Sequence, residues 1–507
     1  MPRFSLLTTS SCLALMLGAT SSLADVSAND VWSDWKEYIT GFGYTLTGDE
    51  QATGNGLSIK GVKLDLPLPE AAGSMSVSMG NLDFVEQGDG SVNIVMSENW
   101  SFSFDVDDAG DDVAGTMVYA QTAPSLVVTG DPDALVYTYS AEQAVMSIDD
   151  LNVDGTQLGA DVFTLKVTVD DISSVTKMSK GELRSYDQSL ESSNVSYTFI
   201  FKDPLENASL DMRGEARGLA FKGAGDIPEG LSTDNASAMI QAGFAFAGEY
   251  LFSGGESQVT FDGPDGSGTI NSTSGGGTFA ISMSEKGLGY ETETKNLAVN
   301  GLMSTFPLPM SFEAQSAVFD LLIPTIKSPE AQDFGFTFSL KDFTIADSLW
   351  GLFDPTAQLP RDPATLTLAL SGKAKLLFDY LDPAQAAVLE ETDTVPGELE
   401  AITLGELTLD VAGARLSGSG DFTFDNSDTV TFDGFPKPTG AIDLGLVGGN
   451  GLLDKLVGVG LLPEDQAQGA RLMMGLFARP GEGEDSLTSK IEVNELGHVL
   501  ANGQRIK

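Results

Sequence analysis

Apolar residues alternate with polar residues along most of this chain, and the dominant period is two. The alternation is clearest in six stretches: residues 75–79, 100–106, 163–169, 334–340, 366–370 and 407–411. A period of two places apolar side chains on one face of a β-strand and polar side chains on the other. The pattern predicts a mainly β protein with extended, strongly curved antiparallel sheets and a few peripheral α-helices.

The alternation changes phase at Gly61. Leu57 and Ile59 occupy odd positions, whereas Val62 and Leu64 occupy even positions. A β-bulge adds one residue to a strand and returns the following side chains to the original face. We therefore expect a bulge at Gly61 that keeps these apolar side chains together.

The segments between the strands are rich in turn-forming residues. Glycine, aspartate and proline cluster at residues 87–90, 130–133 and 263–266. These residue types favour tight turns. Short turns connect antiparallel hairpins, so a parallel α/β sheet is not expected.

Three segments predict helices before the C-terminal region. The first helix is expected over residues 31–42, where Ser27 and Asp30 have the spacing of a capping box in front of an apolar stripe. The two tryptophans of this stripe indicate core packing. A second helix is expected near residues 313–322, and a third after Pro383.

A helical hairpin is expected near the C-terminus, over residues 450–459 and 463–479. Pro463 followed by two acidic residues is a typical helix start, and Pro480 followed by glycine is a typical stop.

Residues 1–24 have the pattern of a secretory signal peptide. Arg3 precedes a short apolar core at residues 13–17, and small residues precede an expected cleavage site after Ala24. Cys12 lies before the apolar core and not at a cleavage site, so lipid attachment is not expected there. The mature chain would then have no cysteine and would be periplasmic.

The mature chain is expected to consist of two β-rich parts. The first, residues 25–225, starts with the amphipathic helix, and the second, residues 226–507, ends with the helical hairpin and a final β-hairpin. The most apolar later segment, residues 441–462, contains charged residues and many glycines, so no transmembrane anchor is expected.

The charge balance restricts the partners of this protein. The chain has 27 Lys and Arg against 73 Asp and Glu, a formal net charge of −46. Such a surface repels nucleic acids and anionic lipid headgroups. We therefore expect neither as a partner, and we interpret the acidic residues mainly as a solvated surface.

The sequence offers no recognisable catalytic constellation. His498 is the only histidine, in an expected exposed turn, so the usual zinc sites and Cys-His enzymes are excluded. Ser-x-x-Lys spacing occurs at Ser33 and Lys36, and in a predicted loop at Ser174 and Lys177, but the companion motifs of such enzymes are missing. No catalytic, cofactor-binding or metal-binding residue is assigned, and no enzymatic activity is expected.

An acidic turn over residues 105–112 raises the hypothesis of a calcium site. Asp105, Asp107, Asp108, Asp111 and Asp112 supply hard oxygen ligands around a glycine, but the EF-hand spacing is not satisfied. A solvated hairpin tip explains the same pattern, and this interpretation is preferred.

Several stretches resemble a domain-of-unknown-function family of exported alphaproteobacterial proteins (DUF2125). They are residues 31–35, 349–354, 359–363, 366–374, 451–455, 469–471, 477–481 and 502–505. The resemblance implies a Gram-negative periplasm or outer envelope and carries over no activity, cofactor or site residue. A more distant fold-level likeness to AsmA-type envelope proteins is also expected.

Three functions follow from these expectations. The first is a periplasmic protein that binds or shields a lipid-like or apolar ligand in envelope maintenance, if the apolar sheet face is open. The alternative is a structural or protein-interaction protein with a closed β core. The third is a carboxylate-based hydrolase, which would need two carboxyl groups in one cleft.

Overall fold

The strands of this protein join into one antiparallel sheet. A computed structural model describes residues 25–41, 43–67, 72–108, 111–203, 206–228, 236–382, 384–385, 389 and 395–507. Strands account for 66% of the structure and helices for 12%, and the 27 strands found within these ranges belong to the same sheet. The predicted mainly β architecture is therefore confirmed.

The strands are long, and several exceed 15 residues. Their bounds are β1 (Thr45–Thr53), β2 (Gly56–Pro67), β3 (Ala72–Glu86), β4 (Val92–Met96), β5 (Asn99–Asp108), β6 (Asp111–Thr122), β7 (Ser125–Asp131), β8 (Ala134–Val153), β9 (Thr156–Gln157), β10 (Phe163–Ser179), β11 (Leu183–Asp203), β12 (Ala208–Pro228), β13 (Ala245–Phe252), β14 (Gly254–Gly263), β15 (Gly266–Ser274), β16 (Gly277–Ser284), β17 (Gly287–Met303), β18 (Phe306–Ile323), β19 (Gln332–Ile345), β20 (Ala364–Leu376), β21 (Gly397–Val411), β22 (Ala414–Asp425), β23 (Lys437–Val447), β24 (Arg479–Pro480), β25 (Ser486–Val493), β26 (Val499–Ala501) and β27 (Gln504–Arg505). The helices are α1 (Ala28–Gly41), α2 (Ala236–Gln241), α3 (Asp347–Phe353), α4 (Gly449–Gly458) and α5 (Glu464–Phe477).

The sheet is a ribbon that twice divides and rejoins. β3 pairs with both β4 and β5, and the two branches rejoin on β8 through β7 and β6. β12 pairs with β13 and β14, and these branches rejoin on β17 through β16 and β15. Adjacent strands lie about 4.8 Å apart, so a ribbon of roughly 20 strand spacings is about 100 Å long along its curve.

A row of irregular backbone positions, here called the seam, crosses the long strands. Asp171, Gly218, Asn296 and Asp342 have φ angles of 51°, 57°, 47° and 50° within their strands. Two successive residues are exposed at several of these positions, at 217–218, 295–296 and 341–342. The seam therefore reverses the alternation of every strand that it crosses.

The phase reversal keeps the apolar side chains on one side of the ribbon. In β17 the apolar positions are even before the seam and odd after it, as Tyr290 and Val299 illustrate. In β19 Phe338 precedes the seam and Phe343 follows it. We call this side of the sheet the apolar face.

The expected bulge at Gly61 is confirmed. The pairing of β2 with β3 shifts between Ile59 and Val62, and Gly61 has a φ of 63°. Leu57, Ile59 and Val62 are all buried on the same side, under α1.

The first helix covers this end of the ribbon and forms its closed hydrophobic core. Trp32 is 2% exposed, and its ring centroid lies 5.8 Å from that of Phe84. Trp35 contacts the same Phe84 ring at 5.6 Å. The predicted helix and the core role of its tryptophans are confirmed.

The capping box of α1 is formed as the sequence predicts. The backbone N–H of Asp30 donates to Ser27 Oγ at 3.2 Å, and the backbone N–H of Ser27 donates to Asp30 Oδ2 at 3.0 Å. These bonds satisfy amide groups that have no partner within the helix.

Replacing Ser27 by alanine is expected to lower the free energy of unfolding by about 1 kcal/mol, because one cap acceptor is lost. Ser33→Ala is the matched control, since Ser33 is exposed inside the same helix and alanine favours helix there. Urea denaturation followed by circular dichroism measures the free energy of unfolding of both variants. Equal midpoints for the two variants would contradict the role of the capping box.

A buried ion pair attaches α1 to the sheet. The Arg184 guanidinium on β11 donates to Asp34 on α1, and both residues are less than 5% exposed. Tyr137 donates to the same carboxylate at 3.2 Å, and Lys180 lies 3.2 Å from it. The Lys180 hydrogen bond and charge also lower the pKa of Glu37.

One predicted helix is wrong. Residues 313–322 belong to strand β18, which pairs with β17 and β19. The seam crosses β18, so Ala314, Ala317 and Leu321 follow one another at spacings of three and four residues. Those spacings are typical of a helix, but here they result from a strand whose alternation reverses.

The other expectations on local structure have different outcomes. The helical hairpin is confirmed as α4 and α5. The helix after Pro383 falls mainly outside the described residues, and the signal peptide over residues 1–24 lies wholly outside them. The division near residue 225 stays a prediction.

Candidate ligand-binding face

The apolar face presents large side chains from one strand after another. Residues that are directly paired across antiparallel strands lie on the same face. One such series crosses neighbouring strands from β11 to β16: Leu190, Phe221, Tyr250 and Phe279. A second series crosses β18 to β21: Phe319, Phe338, Leu368 and Leu407.

Aromatic rings form a continuous row on this face. Consecutive ring centroids are separated by 4.5, 6.1, 5.2, 5.7 and 5.8 Å, in the order Phe221, Tyr250, Phe279, Tyr290, Phe319 and Phe336. These separations lie within the range of favourable aromatic contacts. The row crosses six strands and is the longest chain of ring contacts in the described part of the protein.

The apolar face is only half covered. Six of its side chains are between 37% and 40% exposed: Phe201, Tyr250, Ile323, Phe338, Leu366 and Leu409. Over most of its length the ribbon is therefore a single layer.

The opposite face has a different chemistry. Between β11 and β17 its paired positions are Ser189, Lys222, Glu249, Ala280 and Glu291, which line a depression of about 480 Å³. Further along, Ser339 and Thr367 share a hydrogen bond of 2.9 Å. Small and polar side chains therefore occupy one face while large apolar side chains occupy the other.

The candidate catalytic residues from the sequence are not brought together. Lys36 pairs with Glu50 at 2.7 Å. Ser174 is buried within strand β10, so its predicted loop is wrong. His498 follows a turn as expected but is half-buried and not exposed, and its backbone N–H donates to Asn494 Oδ1 at 3.1 Å.

The calcium hypothesis falls mainly outside the described residues. Residues 109–110 and the side chains of Asp107, Asp108 and Asp111 belong to the part that is not described. Asp105 and Asp112 lie on β5 and β6, which form a hairpin. Among the residues with described side chains, no three metal-ligating groups cluster.

One buried polar cluster was not predicted from the sequence. Ser237, at the start of α2, donates to Asp379, and both are at most 5% exposed. Asp379 also accepts from the backbone N–H of Leu381 at 3.1 Å. The cluster joins α2 to the segment after β20, and its residues are 142 positions apart in the chain, so no local pattern could indicate it.

Asp485 organises the start of α4. Its carboxylate accepts from the backbone N–H groups of Asn450 and Gly451 at 3.1 and 2.8 Å and from the Asn450 side chain at 2.8 Å. Burial raises the pKa of Asp485, but these hydrogen bonds outweigh burial and hold that pKa below its usual 3.8. Because the folded-state pKa is lowered, the stabilisation is present above pH 3.8 and is lost as the pH falls.

Replacing Asp485 by alanine is expected to lower the free energy of unfolding by about 1 kcal/mol at pH 6, because the first turn of α4 loses its hydrogen-bond acceptor. The difference from the wild type should shrink at pH 3, because below the usual pKa of 3.8 the unfolded chain takes up a proton on Asp485 and the stabilisation begins to be lost. The neighbouring exposed Glu484 gives the control Glu484→Ala. Denaturation midpoints at both pH values test this, and a difference independent of pH would contradict it.

Two of the stretches that carry the family resemblance meet at the α4 end of the ribbon. A Cβ atom on Gly413 would lie 3.2 Å from Pro360 Cγ and 3.6 Å from Lys455 Nζ, so the loop after α3 and helix α4 come together at that glycine. Asp354 shapes that loop and accepts the backbone N–H of Leu359 at 2.8 Å. The two stretches therefore form one end structure.

The comparisons with known proteins place half of the chain in a family. Residues 251–500 match a family model described as an uncharacterised protein conserved in bacteria (DUF2125). This half of the chain belongs to the DUF2125 family. It contains β14 to β25 completely, with four of the six rings of the aromatic row, α3, α4 and α5. The resembling residues 31–35 and 502–505 lie outside the DUF2125 match.

The other comparisons add no relative. No curated protein and no solved structure is significantly similar to the chain. The AsmA-type likeness therefore stays a prediction beside the DUF2125 membership. Within the described ranges, no helix is long and apolar enough to cross a membrane.

Proposed function

We propose that this protein is exported to the bacterial periplasm and binds a lipid-like ligand on its apolar face, as part of envelope maintenance. The observation that carries the proposal is the partly exposed aromatic row, in which Tyr250 is 40% exposed and which no second layer of the described chain covers. Soluble proteins rarely leave large contiguous apolar surfaces open unless a ligand or partner occupies them.

Alkyl chains fit this surface better than a charged macromolecule does. Fully burying one large apolar side chain gains about 1.5–3 kcal/mol, so an alkyl chain that covers several half-exposed rings gains several kcal/mol. The acidic chain, with a net charge of −46, disfavours anionic headgroups. A neutral or zwitterionic lipid is the ligand class that satisfies both conditions.

The two alternative functions have weaker support. A closed β core occurs at the α1 end, where Trp32 and Phe84 are almost fully buried, but it does not extend along the ribbon. A carboxylate-based hydrolase would need a catalytic cleft, and the buried Ser237–Asp379 pair has no basic partner among the described contacts.

The test is native mass spectrometry of the protein purified gently from the periplasm, followed by organic extraction and lipid analysis. A stoichiometric lipid is the expected result, since apolar ligands of this kind dissociate slowly from a large apolar contact. A bare polypeptide mass would count against lipid binding and in favour of a protein partner.

A pair of neighbouring variants makes this test specific for the apolar face. Phe279→Lys places a charge in the aromatic row and should remove the lipid, whereas Ala280→Lys places the same charge on the opposite face, beside Glu249 and Glu291. Both variants are first checked for an unchanged melting temperature. Equal lipid content in the two would argue against the apolar face as the binding surface.

A further inference from the structure

The apolar face continues into a cavity beneath α5. The cavity has a volume of about 470 Å³ and lies between the helix and the strands β22, β23 and β25. Leu416 and Leu446 form part of its floor, and Met474 and Phe477 of α5 form part of its roof. No charged side chain lines it, although the protein has 100 charged residues, the sum of 27 basic and 73 acidic ones.

A row of leucines connects this cavity with the open part of the face. Directly paired positions in six successive strands of the ribbon are Leu340, Leu366, Leu409, Leu416, Leu446 and Leu487. Leu366 and Leu409 are exposed, whereas Leu416, Leu446 and Leu487 line the cavity. Five strand spacings correspond to about 24 Å.

Specific hydrogen bonds hold α5 above the sheet. The backbone oxygen of Phe477, at the end of α5, accepts from Ser489 Oγ at 2.6 Å and from Asn502 Nδ2 at 2.8 Å. Arg471 of α5 pairs with Asp454 of α4 at 2.5 Å. The helix is therefore fixed at both its middle and its end, so it does not depend on apolar packing alone to keep its place.

The dimensions match a single alkyl chain. The hydrocarbon core of a bilayer is about 30 Å thick, so one acyl chain spans about 15 Å of it, less than the length of the leucine row. The cavity volume also lies within the range of small-molecule binding sites, about 300–1,000 Å³. Methionine side chains in the roof can adapt to a flexible chain.

We infer that the cavity beneath α5 binds the end of an acyl chain whose remaining length lies along the leucine row. This inference rests on the proposed function, and it assigns to the lipid a defined place and direction on the apolar face. Unlike the aromatic row, this position offers apolar side chains from both a sheet and a helix.

The test is photo-crosslinking of the full-length mature protein with a zwitterionic phosphatidylcholine that carries a diazirine at the end of one acyl chain. Label is expected in the peptides that contain residues 473–478 and 486–491. A short hydrophilic diazirine serves as the control for nonspecific labelling. Peptide mapping by mass spectrometry locates the label.

Two tryptophan variants make the assignment specific. Leu416→Trp fills the floor of the cavity and should reduce label in these peptides at least tenfold. Leu472→Trp, on the exposed side of the same helix, should leave the label unchanged. The wild-type map is informative by itself, so the test remains valid if Leu416→Trp does not fold.

The possible outcomes separate the inference from the proposed function. Label confined to the aromatic row, with none beneath α5, would overturn the inference but leave lipid binding on the apolar face intact. Label at the hydrophilic control level everywhere would overturn both. Label beneath α5 that persists in Leu416→Trp would also overturn the inference, because the cavity would not be its site.

Discussion

Replacing Phe84 by alanine is expected to lower the free energy of unfolding by about 3–5 kcal/mol, whereas Phe338→Ala should cost only about 1 kcal/mol. Phe84 is 1% exposed and packs against the rings of Trp32 and Trp35, so its removal leaves a cavity in a closed core. Phe338 is 37% exposed on the apolar face, where the lost volume opens to solvent.

The comparison distinguishes a single-layered ribbon from a closed β core along its whole length. Denaturant midpoints with hydrogen exchange of each segment provide the measurement, since a long ribbon need not unfold as one unit. If Phe338→Ala proved as costly as Phe84→Ala, the apolar face would be covered by the protein itself, and the proposed lipid site would lose its basis.

Replacing Asp34 by alanine is expected to destabilise the α1 end by about 3–5 kcal/mol, because the buried Arg184 guanidinium loses its carboxylate partner. The hydrogen bond from Tyr137 is lost as well. Asp211→Ala is the matched control, since the Asp211–Arg213 pair is exposed at 2.8 Å. Breaking an exposed pair changes stability by at most about 1 kcal/mol.

A double variant tests whether the loss comes from an unpaired charge. Asp34→Leu combined with Arg184→Met removes both charges and should recover much of the stability, as replacement of a buried pair by apolar residues often does. Hydrogen exchange of α1 and β11 reports the local opening. A double variant as unstable as Asp34→Ala would show that packing, not charge, causes the loss.

A ribbon with one apolar face can bind an apolar ligand without changing its own backbone structure. Covering the face from outside adds apolar contact without any rearrangement of the backbone, since the strands are already paired on both sides. The seam supports this arrangement, because it keeps large side chains on the same face in both halves of each long strand. Without the phase reversal, part of each strand that the seam crosses would direct its apolar residues to the opposite face.

The alternation, the caps and the turn residues determined much of this fold by themselves. The six alternating stretches all became strands, and Ser27, Asp30 and Pro463 marked helix starts where the structure has them. The Gly61 bulge followed from a change of phase alone. These features depend on neighbours in the sequence, so the local pattern is sufficient to predict them.

Only the tertiary structure decided the identity of β18, the alignment of the seam and the open state of the apolar face. Residues 313–322 have a spacing that fits a helix as well as an interrupted strand, and pairing with β17 and β19 selects the strand. The buried partners Asp34 and Arg184 are 150 residues apart. Whether an apolar side chain is covered depends on a second layer that other parts of the chain do or do not supply, and no local pattern of residues contains that information.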